Sequence, residues 1–82
     1  MAEYLTDLLD KNGYKTTIQR KTVYEVLCKN KDKHLSTEDI YNIIQEINPK
    51  IGLATIYRTL ILFEDIGLVY KHNFDDGFQR YE

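Results

Sequence analysis

The segment 52–67 constrains the fold most strongly because it predicts a single helix between two glycines. Gly67 follows the last apolar residue, at a position where a left-handed helix end favours a residue without Cβ. Gly52 is an acceptable N-cap, although it has no side chain to offer. Apolar residues spaced three or four apart form a stripe that should face a core, namely Leu53, Ile56, Leu60 and Phe63. The rest of the chain must therefore supply elements that cover this stripe.

A second face of the same helix lies about a third of a turn away and is unusual for a surface that meets only water. It combines a small residue, two long side chains and an isoleucine, namely Ala54, Tyr57, Arg58 and Ile61. Arg58 is the basic residue of this face, and its forked guanidinium can bind a guanine edge or a phosphate. An ordinary packed helix with one exposed arginine gives the same pattern, so the segment alone leaves both interpretations open.

Two further helices are predicted in the N-terminal part of the chain. Residues 3–12 show a narrow apolar stripe, and an Asn-Gly pair ends it. A second helix should begin at Thr16 or Thr17, since either threonine can cap it and Thr16 with Gln19 fits a capping box. We expect its inward face to consist of Ile18, Val23, Val26, Leu27 and Cys28.

The clearest local signal in the chain lies over residues 34–40. Ser36 is the predicted N-cap and Asp39 stands three residues later, which together form an acidic capping box. Leu35 and Ile40 can pack against each other across this helix start as a hydrophobic staple. The helix should end near Asn48 because a residue before proline avoids helical geometry. Its buried stripe should consist of Ile40, Ile43, Ile44 and Ile47.

After Gly67 the period of the apolar residues changes from that of a helix to that of a strand. Residues 68–74 and 78–82 predict two strands, joined by a tight turn at 75–77. Such a hairpin is not stable alone and must pack on the helices. A helix, the short turn 48–51 and the helix over 52–67 give a helix-turn-helix. The prediction is one domain over residues 1–82, mainly α with a small β-hairpin, which is a winged helix-turn-helix.

Composition excludes several classes of protein. With 82 residues the chain can hold one core and little more. Its apolar runs are too short to cross a bilayer and its first residues form no secretory signal, so no membrane association is expected. A single cysteine cannot form an internal disulfide framework, which favours a reducing, cytoplasmic location. We expect no enzyme, because the sequence shows no nucleophile–base pair, phosphate loop or complete metal cluster.

Charge is unevenly distributed, although the formal net charge is only −2. Residues 11–33 contain seven basic and two acidic residues, whereas residues 35–66 contain two basic and five acidic residues. Arg20 and Lys21 fall in the first turn of the second helix, where cations oppose the helix dipole and a bound phosphate would compensate them. This basic flank fits a phosphate-binding surface. A solvated run of lysines that maintains solubility would have the same composition.

Several segments together resemble the N-terminal domain of the ferric uptake regulator family, the bacterial metal-dependent repressors. They are residues 17–20, 34–41 and 51–60 and the wing segments 67–69 and 76–82. Their order and spacing are specific, and the resemblance covers about residues 8–82. Ile18 stands where the family usually has proline, which removes some pre-organisation of the helix start but no contact. The family continues into a dimerisation and metal-binding domain, which we expect to be absent from this chain.

The resemblance implies sequence-specific binding to double-stranded DNA, with an AT-rich inverted repeat as the target. Tyr57 and Arg58 would contact bases in the major groove, Tyr57 through thymine methyl groups. Lys15 would reach an AT-rich minor groove. Four further residues would belong to the interface, the last three by contacting the DNA backbone: Ala54, Gln19, Arg20 and Thr55. The full-length protein should be a homodimer, whereas the fragment alone should be a monomer.

The resemblance also implies that His34 and Glu82 help to form an interdomain metal site, although nothing in the local sequence links them. Imidazole and carboxylate suit Fe²⁺, Mn²⁺ or Zn²⁺, so the ligands do not select the metal. Two ligands are too few for a regulatory site, so we expect no tightly bound metal in this fragment. The peroxide-sensing branch tends to have aspartate in place of Glu82 and asparagine in place of Arg58, which favours an iron-responsive repressor here.

Other functions stay open at the level of sequence. A peroxide-, zinc- or manganese-sensing member of the same family is one alternative. Another is a winged helix that contacts proteins, which the net negative charge and Ile61 on the outer helix face would support.

Overall fold

Four helices and three short strands form the part of the chain that a computed structural model describes, residues 2–31, 33–73 and 79–81. The helices are α1 (Ala2–Lys11), α2 (Ile18–Lys29), α3 (Thr37–Ile47) and α4 (Leu53–Asp65), and the strands are β1 (Leu35–Ser36), β2 (Lys71–Asn73) and β3 (Gln79–Tyr81). The fold is the winged helix-turn-helix that the sequence predicts. Across these described ranges, no helix has both the length and the apolar character that crossing a membrane requires.

The start of α3 forms the predicted capping box. The Asp39 amide donates a hydrogen bond of 3.1 Å to the Ser36 hydroxyl, and the Ser36 amide donates one of 3.0 Å to the Asp39 carboxylate. Leu35 and Ile40, the residues of the predicted staple, are both buried. These reciprocal bonds satisfy two backbone donors that a helix start otherwise leaves unpaired, so the local sequence fixes where α3 begins.

α4 runs through the centre of the core, where Ile56, Leu60 and Phe63 are fully buried. Its C-terminal end forms a Schellman motif, in which Gly67 has the predicted positive φ of 78°. The Leu68 amide donates to the Phe63 carbonyl over 2.8 Å, which closes this motif. α4 therefore has a fixed position and a fixed end, and only its outer face is left for contacts with other molecules.

Three apolar residues lie on the surface, although their spacing predicts that they face the core. They are Leu53, Ile18 and Ile47, with exposed fractions of 51%, 72% and 59%. Each is the first or last residue of its helix. Periodicity gives the angular position of a residue around a helix but does not show where along the helix the core ends. On α2, Val23, Val26 and Leu27 are buried as predicted, and Cys28 is half-buried.

α2 begins after Thr17, one of the two predicted N-caps. The Arg20 amide donates a hydrogen bond of 3.1 Å to the Thr17 hydroxyl. The Thr16 hydroxyl instead donates one of 3.0 Å to the hydroxyl of Thr6 on α1. The predicted capping box of Thr16 and Gln19 is therefore wrong. With Thr17 as the cap, Arg20 stands at the third helical position, and it has no acceptor with which to complete a box.

The first strand of the wing begins three residues later than predicted, at Lys71 instead of residue 68, and a third strand joins the wing. β2 begins at Lys71 because the preceding amides of Leu68 and Val69 bond back to the Phe63 carbonyl at the end of α4. β3 pairs antiparallel with β2 on one side and with β1 on the other, which gives the sheet order β1-β3-β2. β1 thereby connects the wing to the start of α3. The predicted turn at 75–77 and Glu82 lie outside the described residues.

Candidate nucleic-acid interface

A groove of about 460 Å³ separates the N-terminal end of α2 from the outer side of α4. Four of the residues that the sequence implicates in DNA binding line it together, namely Gln19, Arg20, Thr55 and Arg58. The other lining residues are Tyr14, Thr17, Thr59, Ile61, Leu62 and Asp65. Gln19 and Arg58 are exposed, whereas Arg20 and Thr55 are half-buried. Two helices that are far apart in sequence therefore present polar and basic groups to one surface.

The outer face of α4 is exposed from Ala54 to Ile61, as predicted. Tyr57 is 48% exposed, and together with Ala54 it lies outside the groove on the neighbouring part of this face. Behind this face the Thr59 hydroxyl donates to the Thr55 carbonyl over 2.8 Å, so a buried polar side chain is satisfied within the helix. α4 has 13 residues and is about 20 Å long. An α-helix with its side chains is about 10–12 Å in diameter, which suits a DNA major groove about 12 Å wide.

Lys15 lies beside the groove, on the loop that joins α1 to α2. Its backbone carbonyl accepts a hydrogen bond of 2.7 Å from Nη1 of Arg20. The guanidinium carbon of Arg20 also lies 5.6 Å from the centre of the Tyr14 ring, within the range of a cation–π contact. The Lys15 side chain is exposed. Arg20 thus contacts the loop that precedes its helix, and the charged end of Lys15 is at the surface.

The electrostatics of the groove favour an anion at the start of α2. The N-terminal end of a helix carries a partial positive charge, and Arg20 and Lys21 add two cations there. Such an arrangement is unfavourable without a counter-charge, and a phosphate at this end would supply one. Asp65 lines the opposite side of the groove on α4, so the positive character is concentrated toward α2.

The two residues of the predicted metal site come from segments that the sheet joins. His34 is exposed and directly precedes β1. Leu35, the next residue, pairs with Tyr81, which directly precedes Glu82 in the sequence. Glu82 itself lies outside the described residues. Within the described ranges, no group of three or more histidine, cysteine, aspartate or glutamate side chains is placed to hold a metal ion.

Two residues that line the groove, Tyr14 and Asp65, are not singled out by the sequence pattern. Tyr14 directly follows the Asn-Gly helix end, a position at which an apolar side chain commonly packs against the helix, and that is the signal that could have identified it. Asp65 is the last residue of α4, where an acidic side chain opposes the helix dipole. Such a mismatch is the same kind of signal that drew attention to Arg20.

Comparison with known sequences gives one consistent family. The family described as "Ferric uptake regulator family" matches residues 11–82. The ferric uptake regulation protein of Bacillus subtilis (strain 168) is 47% identical over 74 residues, which make up 90% of this chain and 50% of that protein. The chain spans about half the length of the curated relatives that it matches.

Solved structures of similar proteins share the fold. The Vibrio cholerae ferric uptake regulator, described as showing a rearrangement of its DNA-binding domains, has a TM-score of 0.83 and 36% identity, and the match covers 94% of this chain and 59% of that one. PerR from Streptococcus pyogenes, described in terms of peroxide sensing and gene regulation, has a TM-score of 0.85 and 26% identity, covering 98% and 54%. The described fold is therefore shared by an iron-uptake regulator and a peroxide sensor.

Proposed function

The chain belongs to the ferric uptake regulator family of metal-responsive transcription regulators, and on that premise we propose that it is the sequence-specific DNA-binding part of a metal-dependent repressor. The observation that carries the proposal is the groove between α2 and α4, which unites polar and basic side chains of both helices beside the exposed face of α4. Groups that can bind phosphate and groups that can reach base edges thus share one surface. Specific DNA binding requires both, because phosphate contacts fix the register and base contacts read the sequence.

In this proposal α4 enters the major groove with its outer face toward the bases. Arg58 donates in bidentate fashion to the O6 and N7 atoms of guanine, and the ring of Tyr57 packs on thymine methyl groups. Ala54 is small, so the helix start can approach the bases closely. The exposure of these three residues supports the assignment, since none of them is needed in the core.

The remaining residues of the interface contact the DNA backbone and the adjacent minor groove. Gln19 and Thr55, on opposite sides of the groove, bind phosphate oxygens, and Arg20 adds its charge at the positive end of α2. Lys15 enters the neighbouring minor groove. AT-rich DNA narrows that groove and makes its potential more negative, which attracts a lysine.

We further propose that the chain is the N-terminal part of a longer cytoplasmic protein that binds an inverted repeat as a homodimer. A metal would fix the angle between domains so that two α4 helices reach successive major grooves. His34 and Glu82 would each supply one ligand, and the pairing of Leu35 with Tyr81 supports this because these two residues are their neighbours in sequence. Fe²⁺ is our leading choice on the identity of Glu82, and peroxide, zinc or manganese sensing are the alternatives.

An amide NMR titration at low salt tests the DNA-binding role directly, because it detects the weak binding expected of one module. The 82-residue chain would be titrated with an AT-rich inverted-repeat duplex and, as a control, with a GC-rich duplex of equal length. We expect shifts at 54–61 and at Lys15 that are larger for the AT-rich duplex and fade as salt rises. Equal shifts for both duplexes, concentrated at 29–33, would contradict sequence-specific binding.

One structural observation favours a second function, a contact with another protein. Leu53, Tyr57 and Ile61 follow each other at intervals of four along α4, and all three are exposed. Such a strip would suit an apolar partner surface as well as thymine methyl groups. An association that does not weaken with salt, without any shift on addition of DNA, would favour this second function.

A further inference from the structure

We propose that Arg20 is a positioning residue for DNA binding: together with Tyr14 it holds the loop over residues 12–17 so that Lys15 is presented to the minor groove. The inference rests on the proposed function and deepens it, because it assigns to Arg20 a role other than direct contact with phosphate. It is carried by the contacts of Arg20 and by the way in which both ends of the loop are fixed.

The first end of the loop is fixed to α1. Gly13 has a positive φ of 82° and its amide donates to the Asp10 carbonyl over 3.1 Å. The Tyr14 amide donates to the Leu9 carbonyl over 2.8 Å, which completes a Schellman motif. The Asn12 side-chain amide donates to the Leu8 carbonyl over 2.8 Å. The backbone that leads to the Tyr14 ring is therefore set by the end of α1.

The second end of the loop is fixed by hydroxyl groups. Thr16 donates to the hydroxyl of Thr6 on α1 over 3.0 Å, and Thr17 caps α2 by accepting from the Arg20 amide. Lys15 lies between these two anchored ends. Its carbonyl is held by Nη1 of Arg20, while its side chain is exposed. The loop thus has a defined path, and Lys15 supplies an exposed cation on it.

The Arg20 side chain extends from α2 and contacts both Tyr14, at the first end of the loop, and Lys15, in its middle. Its bond of 2.7 Å to the Lys15 carbonyl is at the short limit for a charge-assisted hydrogen bond, and its guanidinium lies over the Tyr14 ring. A lysine in the same place would keep the charge but would not provide the planar fork that can bond and stack at once. Two roles of Arg20 can therefore be separated by experiment. A positive charge near phosphate would be kept by a lysine, whereas ordering the loop requires the planar guanidinium of arginine. A loop ordered before binding loses less entropy when it contacts DNA, which raises affinity.

A double-mutant cycle tests the inference with the 82-residue chain and the AT-rich duplex at low salt. We expect Lys15→Ala to weaken binding about tenfold, the scale of one lost charged hydrogen bond. Arg20→Lys should weaken binding several-fold although the charge is kept. If Arg20 acts through Lys15, the double variant should bind no more weakly than Lys15→Ala alone. Losses that multiply, or an Arg20→Lys variant that binds like the unmodified chain, would overturn the inference.

Substitutions of Tyr14 supply a matched pair for the same cycle. Tyr14→Phe keeps the ring under the guanidinium and should bind as the unmodified chain does. Tyr14→Leu removes the ring and should weaken binding several-fold, but not when Lys15 is already alanine. Equal binding by the phenylalanine and leucine variants would show that the ring contact has no role in placing Lys15.

A measurement without DNA separates this inference from the proposed function. Backbone amide order parameters from NMR relaxation at residues 15–17 should be lower in Arg20→Lys and Tyr14→Leu than in the unmodified chain and in Tyr14→Phe, whereas those of α3 should not change. Unchanged order parameters in the first two variants would overturn the positioning role even if DNA binding is confirmed. If the unmodified chain does not bind the duplex, the proposed function is contradicted. The contribution of Arg20 to DNA binding is then contradicted as well, even if Arg20 does order the loop.

Discussion

The two ends of α2 carry equal numbers of basic residues, but only the N-terminal end adjoins the groove. Within four residues of the first residue of α2 stand Lys15, Arg20 and Lys21, and within four residues of its last stand Lys29, Lys31 and Lys33. The helix has 12 residues, so the two groups are about 18 Å apart. Cations at a helix C-terminus are favourable without any ligand, whereas cations at the N-terminus are not. The position of basic residues relative to the helix ends therefore singles out the candidate interface, whereas their number does not.

The two ends also differ in what surrounds the charges. Lys31 lines a cavity of about 320 Å³ whose other residues are Tyr4, Tyr24, Leu27, Cys28, Leu68 and Val69. Long lysine side chains commonly pack their stems on such surfaces. The Asn30 side chain donates to the Val26 carbonyl over 2.8 Å and so closes the helix end. The C-terminal end of α2 is thus packed and closed by a side-chain hydrogen bond, whereas the N-terminal end presents the exposed cations Lys15 and Lys21 to an anionic ligand.

Among substitutions that test whether DNA binds beside the N-terminal end of α2, the largest loss of affinity is expected at Arg58, which lies across the groove from that end. Arg58→Ala should weaken binding to the specific duplex by about 1–3 kcal/mol, because one bidentate base contact is lost. Its midpoint of thermal unfolding should stay unchanged, since the side chain is exposed. Affinity for specific and non-specific duplexes, measured by fluorescence anisotropy, checks this. An alanine variant that discriminates the duplexes as the unmodified chain does would exclude Arg58 from base reading.

A comparison of Lys15→Ala with Lys31→Ala should give the next largest effect. Both substitutions remove one positive charge, but only Lys15 adjoins the groove. The slope of log affinity against log salt should become shallower by about one for Lys15→Ala and stay unchanged for Lys31→Ala. Equal changes of slope in both variants would show that net charge, rather than the N-terminal end of α2, governs binding.

A smaller effect is expected for the cap of α2, and it concerns stability. Thr17→Ala removes the acceptor for the Arg20 amide and should lower the free energy of unfolding by about 1 kcal/mol. Thr16→Ala is the matched control, because Thr16 bonds to an exposed hydroxyl and does not cap the helix. Urea denaturation followed by circular dichroism measures both. A Thr16 variant that is less stable than the Thr17 variant would show that the cap has been assigned to the wrong threonine.

Local signals made much of the fold predictable from sequence. The capping box of Ser36 and Asp39 and the left-handed Gly67 depend on residues within one or two helical turns, and the structure confirms both. The exposure of Leu53 was not predictable in this way, because only tertiary packing shows where the core ends along α4. β1 has two residues, too few to show an alternating pattern, and its partner β3 is distant in sequence.

The candidate site also has a part that the sequence could predict and a part that depends on tertiary structure. The residue pattern singled out Ala54, Tyr57, Arg58 and Arg20, the resemblance to a family supplied the DNA-binding roles and the remaining residues, and the structure brings four residues of the set to one groove. Their contacts with DNA stay predictions. The contact between Arg20 and Tyr14 was not predictable, because it depends on how the loop after α1 returns toward α2. The dipole of α2 gave one physical indication that Arg20 needs a partner, since cations in a first helical turn need a compensating contact.

The smallest effect is expected at the packed, C-terminal end of α2. Burial, together with a side-chain hydrogen bond with Cys28, raises the pKa of Tyr24 from its ordinary value of 10 to about 12. Because this pKa is higher in the folded than in the unfolded chain, its contribution to stability is complete below pH 10 and is lost as pH rises toward 12. In a spectrophotometric titration, Tyr24 should give a phase near pH 12, and Tyr24→Phe should remove that phase. Cys28→Ala should shift the phase to lower pH but not abolish it, since burial is the larger cause. A folded chain without any tyrosine phase near pH 12 would show that Tyr24 is more open to water than the structure indicates.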